Sequence, residues 1–450
     1  MGEETGAEGS GKMGFQLLKS SIEAGSARLG RLCLPNRLPV QTPSYVATTS
    51  RGTVPHLTSD NVERHTSFES AYMALEDFIE KKKPPIYAAP TPTPSSRPLQ
   101  SFTAFPPNRL IILGPRRVPP VKTPLGNGNT HVTLYTSTGF RDLPATEYPS
   151  RIAALRPDIA IPLADLPHTS TTPPAKKLVR MVDRTEEWFE EFLRHRRGDE
   201  RSADVAIFAP VLPVERPIQW QYLDRLSDEV EALSGLAVYD VDILPELSEY
   251  PALAPLPRLV LQSPRTPHDL LRQIALGADM TLVPFINEAS DSGIALSFTF
   301  PAPESASQSP LGLDAWAPDN RTDVGPLVQG CSCYSCREHH RAYLHHLLSA
   351  NEMLSWTLLQ IHNHHVMSRF FECVRKVLAR GGEEFSSAVD AFKRAYEPEM
   401  PKGTGQRPRV RGYHFKSQGG EGRSNERAWT KFDGETGTKA TSGLSTEGTG

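Results

Sequence analysis

Short apolar, β-branched runs bounded by Pro, Gly or Asn recur along this chain, with helix-patterned stretches between them. That alternation limits the fold to an α/β architecture built on a parallel sheet. The runs fall at 44–47, 110–113, 132–135, 159–162, 205–208, 236–238, 259–261 and 282–285. Helical spacing of apolar residues marks 176–197, 222–233 and 267–276. About eight strand–helix units over roughly 300 residues suit a (β/α)8 barrel better than an open doubly wound sheet. Residues 14–325 are assigned to that barrel, 326–400 to a cysteine-rich, helical, metal-binding region, and 1–13 and 401–450 to disordered ends. The tail carries too few apolar residues to offset its ordering entropy. Two stretches break the pattern: the Pro-rich 81–107 and the loop 308–323.

The second constraint is a knot of cysteines. Cys331, Cys333 and Cys336 read C-x-C-x2-C, and the only other cysteines, Cys33 and Cys373, stand alone. Three thiolates this close can converge on one point, which suits a tetrahedral zinc ion with about four N or S ligands. Five cysteines in this pattern point to metal binding in a reducing compartment, not to disulfides. The fourth ligand is left open among His339, His340, His345, His346, His362, His364 and His365. His339 and His340 lie too near Cys336 to close much of a loop, whereas a distant histidine would pin a helix to the cysteine loop. A solvated or core histidine is the bland reading for each of them.

Composition excludes less. At 450 residues and a net charge of −3, the chain is no polycation, so any nucleic-acid contact needs a local patch. Lys176, Lys177, Arg180, Arg194, Arg196 and Arg197 form one candidate, though a solvated helix face reads the same way. No apolar run approaches the roughly 20 residues of a membrane span, and the acidic start is unlike a secretory signal. A cytoplasmic protein is expected.

The run from Cys331 to Cys336, then Arg341-Ala-Tyr343-Leu-His345-His346, then Leu358-Leu-Gln-Ile-His362-Asn363, resembles the C-terminal zinc region of tRNA-guanine transglycosylases. That family's pattern is C-x-C-x2-C-x25-H, and counting on from Cys336 reaches His362. Thr42-Pro43 with Gly52-Thr53-Val54, Gly235-Leu-Ala-Val238 and Gly277-Ala-Asp279-Met280 are similar to further family stretches. The resemblance spans about residues 14–400. It implies a (β/α)8 barrel with a zinc subdomain and one structural Zn2+ per subunit, held by Cys331, Cys333, Cys336 and His362.

The family exchanges a guanine base of tRNA through one carboxylate nucleophile and a second that handles protons. Neither carboxylate is present. Thr136, in Thr136-Ser-Thr-Gly139-Phe-Arg141, stands at the position of the proton-handling aspartate, and Leu282 at that of the nucleophile. Ala164 aligns with the base-recognising aspartate, Asp165 being one residue off. Asn287–Gly293 has lost the arginines of the family's basic loop. The set is similar to the non-catalytic, accessory chain of the eukaryotic queuine tRNA-ribosyltransferase. That likeness implies no catalytic residues and a heterodimer with a catalytic subunit. Through the complex the pair would insert queuine at the wobble position of tRNAs with G-U-N anticodons (Asp, Asn, His, Tyr), giving queuosine. It also implies peripheral association with the mitochondrial outer membrane, for which no anchor is visible. Two competing expectations are an active base-exchange or nucleosidase enzyme using Asp165, Asp240 or Asp279, and a stand-alone RNA-binding protein.

Overall fold

The computed structural model describes residues 13–20, 27–93, 96–121, 126–166, 173–304 and 308–408. Most of the segments read from sequence as disordered ends, 1–13 and 401–450, lie outside them. Eight parallel strands close into a barrel: β1 (Ser44–Thr48), β2 (Ser70–Ala74), β3 (Leu110–Gly114), β4 (Ile159–Ala160), β5 (Ala206–Val211), β6 (Gly235–Val238), β7 (Arg258–Val260) and β8 (Met280–Leu282). Each pairs with its neighbour in sequence, and Met280 against Ser44 closes the ring.

The two-residue period of the strands sorts side chains cleanly. Ile112, Ile159, Phe208, Leu259, Met280 and Leu282 fill the interior, while Ile111, Ala160, Ile207, Leu236 and Val260 face the surrounding helices. Inside, the ring of Phe208 lies over Gly235, where a Cβ would meet it at 2.6 Å. An antiparallel sheet of Gly14–Ser20, Arg28–Cys33 and Val40–Thr42 precedes the barrel, and its Leu32 and Val40 join the interior cluster. Below them Arg28 is ion-paired with Asp279, which also accepts from the Arg258 N–H at 2.8 Å. Both side chains are almost fully buried. Breaking such a pair strands a charge at a cost of about 3–5 kcal/mol. Arg28→Ala is therefore expected to lower the unfolding free energy by that amount in denaturant titration.

The sequence pattern and the structure differ at two strands. The run 132–135 is a strand, His131–Thr136, but it forms an antiparallel hairpin with Gly139–Pro144 outside the barrel. The barrel position belongs instead to β2, Ser-Ala-Tyr-Met-Ala. That segment lacks β-branched residues and is strand because both of its faces are buried.

After β8 come α1 (Phe285–Asp291), α2 (Tyr334–Glu338), α3 (Arg341–Ser349), α4 (Met353–Arg380) and α5 (Gly382–Ala395). A two-stranded sheet of Ile294–Leu296 and Gly312–Asp314 lies between α1 and α2. α4 is one continuous helix of 28 residues. It is buried on most of its faces, so an amphipathic period is weak in its sequence.

Candidate metal centre and the barrel mouth

Gly330, with φ of +77°, turns the chain into Cys331. Cys333 caps α2, its Sγ accepting from the Cys336 N–H at 3.3 Å, and Cys336 follows one turn later. Arg341 holds the approaching loop by donating to the Pro326 and Leu327 carbonyls and to Asp323. The Ser335 hydroxyl donates to the Leu358 carbonyl at 2.7 Å and fastens α2 to α4.

On α4, His362 is fully buried. Its Nδ1 lies 3.7, 3.4 and 3.4 Å from the sulfurs of Cys331, Cys333 and Cys336, and all four ligand atoms lie within 4.8 Å of one another. A tetrahedral zinc with bonds of about 2.3 Å to sulfur and 2.0–2.1 Å to nitrogen has ligand–ligand edges of roughly 3.5–3.8 Å. The donor set and its spacing fit such an ion. Nε2 of His362 is 2.9 Å from the Leu296 carbonyl. A proton there leaves Nδ1 as the free lone pair facing the thiols, the outer-shell bond that fixes a ligating tautomer. The neighbouring thiols hold Cys331 well below the usual thiol range, while the Cys331 and Cys336 contacts push Cys333 up.

The other candidate histidines have different work. His340 caps α3, accepting from the Tyr343 N–H, and His339 stacks on the Tyr343 ring. His345 and His346 sit on α3 away from the cluster, and His365 reaches Ser332 at 3.4 Å. His364 is buried against Tyr45 and Gln360, and burial lowers its pKa to about 3, so it stays neutral. Cys33 is exposed and Cys373 half-buried on α4, both apart from the cluster. Asn363, next to the ligand, braces the site by bonding Leu296, Ile294 and Ser290.

The carboxyl end of the barrel is where enzymes of this fold place their chemistry. Leu282, at the end of β8, is fully buried and belongs to the apolar interior. Thr136, also fully buried, ends the hairpin strand and donates to the Gly139 carbonyl at 2.8 Å. Ala164 lines a cavity of about 20 Å³ with Tyr72, Arg116, Leu163, Tyr239 and Leu261. That is room for about one water. Tyr72 closes the space by crossing to the Arg116 carbonyl at 2.5 Å, and Gly114 beneath it admits no Cβ.

Charged residues ring this mouth, among them Glu76 and Asp77, which the sequence did not single out. Glu76 accepts from the Arg117 and Tyr135 N–H groups, and Asp77 from the Arg117 side chain at 2.7 Å. Burial raises the Glu76 carboxyl above its ordinary range against the pull of Arg117. Asp165 is bound by Asn127 and Arg184. Asp240 sits on the same end of the barrel and caps a short turn through the Asp242 N–H. Asp279 lies at the opposite end of the barrel, in its pair with Arg28.

The basic helix candidate, Ala175–Arg197, interleaves its cations with acids. Arg194 pairs with Glu191, Arg197 with Glu229, and Arg196 donates to the Ala232 and Val205 carbonyls. Arg180 bonds Asn129, and Lys176 and Lys177 are exposed.

The chain is thus a closed (β/α)8 barrel whose appended helical region carries a Cys3His group spaced to hold a metal ion. The family model described as queuine tRNA-ribosyltransferase matches residues 23–398, and the chain belongs to that family. The queuine tRNA-ribosyltransferase accessory subunit 2 of Schizosaccharomyces pombe is 32% identical over 422 residues, covering 91% of each chain. Proteins of the same description from Drosophila pseudoobscura pseudoobscura and Anopheles gambiae are 30% and 26% identical, covering 80% of this chain and 88% and 86% of theirs. Among the described residues no helix is long and apolar enough to cross a membrane.

Proposed function

We propose that this chain is the non-catalytic subunit of a heterodimeric queuine tRNA-ribosyltransferase. It supports a catalytic partner that exchanges guanine for queuine at the wobble position of tRNAs with G-U-N anticodons. The observation that carries this reading is the barrel mouth. Leu282 and Thr136, the residues that the sequence resemblance aligns with the family's two carboxylates, are both fully buried, and the cavity beside Ala164 has room for about one water. The acids nearby, Glu76, Asp77 and Asp165, are each engaged by arginines, amide groups or an asparagine, which suits structural roles. The naming of the relatives as accessory subunits supports the same reading.

Zinc, bound by Cys331, Cys333, Cys336 and His362, supplies a structural cross-link between the cysteine loop and α4. Met353, at the start of α4, stands 69% exposed, and Val324, just ahead of the metal region, 77% exposed. The division into a barrel (14–325) and a metal region (326–400) belongs to this proposal, as does a cytoplasmic location with peripheral contact to the mitochondrial outer membrane.

The test is base exchange with labelled guanine on a G-U-N tRNA. The purified chain alone should give no turnover, and the chain mixed with its catalytic relative should give full turnover. Exchange by a rigorously partner-free sample would overturn the proposal.

A further inference from the structure

We propose that the cleft between the helix Arg216–Asp228 and the turn Glu246–Glu249 is a docking groove for a short basic segment of a partner protein. The helix follows β5 and the turn follows β6, so both lie on the outer flank of the barrel. Gln219, Tyr222, Leu223 and Leu226 are the buried residues of the helix and face the core. Pro217, Trp220, Asp224 and Ser227, spaced three and four apart, form a separate stripe, and all four line the cleft. Its volume is about 820 Å³, with Glu246, Tyr250 and Pro251 contributed from the turn side. From Pro217 to Ser227 a helix rises about 15 Å, the reach of roughly four or five residues of extended chain.

Trp220 is 49% exposed, which is unusual for so large an apolar side chain. Among the described residues no cation lies over its ring, and Asp224 and Glu246 form no ion pair. The neighbouring corner of the cleft shows how a cation is held there. The Arg216 guanidinium lies over the Tyr250 ring, 5.6 Å from its centre, and pairs with Glu249. Trp220, with Asp224 one turn further along the helix, repeats that combination of ring and carboxylate without the cation. Indole is the best ring for such a contact. Three carboxylates and one guanidinium line the cleft, a balance of −2. That sign repels RNA phosphates and an anionic membrane, and attracts lysine or arginine. Tryptophan is also among the side chains that dominate the energetics of protein interfaces. β5 stands four strands round the ring from β1, against which α4 packs, so an occupant of the groove leaves the metal region uncovered.

This inference stands apart from the tRNA role proposed above. The experiment titrates a positional-scanning library of fluorescein-labelled pentapeptides with the full-length chain and reads polarisation. Members carrying Lys or Arg should bind at least about tenfold more tightly than their Glu counterparts, an advantage that shrinks as salt rises. Trp220→Ala should weaken the selected peptides at least about fivefold, and Trp220→Phe should keep part of that affinity. Asp224→Asn combined with Glu246→Gln should remove most of the preference for basic members. These side chains are exposed or half-buried, so the variants should keep the wild-type unfolding midpoint. A library bound without preference for Lys or Arg, or bound equally by wild type and variants, would overturn the proposal. So would a Trp220→Ala protein that loses tRNA binding or self-association while its peptide affinity is unchanged, because the groove would then belong to RNA or to a second copy of the chain.

Discussion

Replacing His362 with alanine is expected to strip the metal from this protein and to lower its unfolding midpoint by roughly 5–10 °C. In the proposed zinc site the imidazole is one of four ligands, and losing an outer-shell partner alone costs roughly 10–100-fold in metal affinity. Removing a ligand outright should exceed the upper end of that range. Metal binding at a structural site is folding free energy, so the loss appears as stability. The substitution also empties a fully buried site and leaves the Leu296 carbonyl without its 2.9 Å partner. These two effects cost about 2–5 and 1–3 kcal/mol taken separately. At about 2–4 °C per kcal/mol or less for a chain of this size, the shift is easily measured. Cys333→Ser should behave alike, and both should weaken assembly with the catalytic relative. His365→Ala, which removes only a contact to Ser332, should keep full metal content. Metal analysis by atomic emission decides the matter, because full occupancy in the His362→Ala protein would refute its role as fourth ligand.

The same site sets a pH dependence with a definite sign. Thiolate ligands held by a metal have pKa values depressed below those of the unfolded chain. Their contribution is present above the unfolded thiol range and is lost as pH falls and protons displace the metal. The metal-linked part of stability should therefore fade on acidification, and the destabilisation produced by a chelator should shrink as pH falls.

Much of this architecture was legible because the strands are buried on both faces. A segment such as Leu110-Ile-Ile-Leu113 has few alternatives once turn residues bound it, and all of its side chains are buried in the barrel. β2 was hidden for the complementary reason. Tyr72 and Met73 are its only large residues, and the burial that makes it strand comes from β1 and β3 on either side. The hairpin at His131–Thr136 has the better local strand sequence and lies outside the barrel, since nothing local distinguishes a parallel partner from an antiparallel one. For the cage, spacing brought three cysteines together, but chemistry alone left seven histidines open. His362 was singled out by the resemblance to a known pattern, and the geometry then places its Nδ1 against all three sulfurs. The ring of Glu76, Asp77, Arg116 and Arg117 was missed because two adjacent acids and two adjacent arginines read locally as surface loop. Their burial depends on the hairpin folding over them, a long-range contact that no sequence window contains.

Installing the family's two carboxylates, by Thr136→Asp with Leu282→Asp, is expected to give a less stable protein with no base exchange. Leu282 is fully buried among aliphatic and aromatic neighbours in the barrel interior. Losing its packing and placing a carboxylate there should cost about 3–5 kcal/mol. The cations of the mouth are already engaged, Arg117 by Asp77 and Glu76, and Arg116 by Asn127. The carboxyl introduced at position 282 would have its pKa raised by burial above the unfolded value of about 3.9. Its penalty would then be least below that value and would grow as pH rises toward the folded pKa, so the variant should recover stability in acid. At Thr136 the hydroxyl donates to the Gly139 carbonyl, and an ionised carboxylate has no proton to give there. The substitution replaces a hydrogen bond with repulsion between two oxygens. Even with both acids in place, the cavity that Tyr72 and Arg116 help to line has room for about one water. Circular dichroism across pH, combined with labelled-guanine exchange on the folded fraction, tests the whole argument. Exchange by that fraction without the catalytic relative would mean that the mouth opens and that two carboxylates were all it lacked.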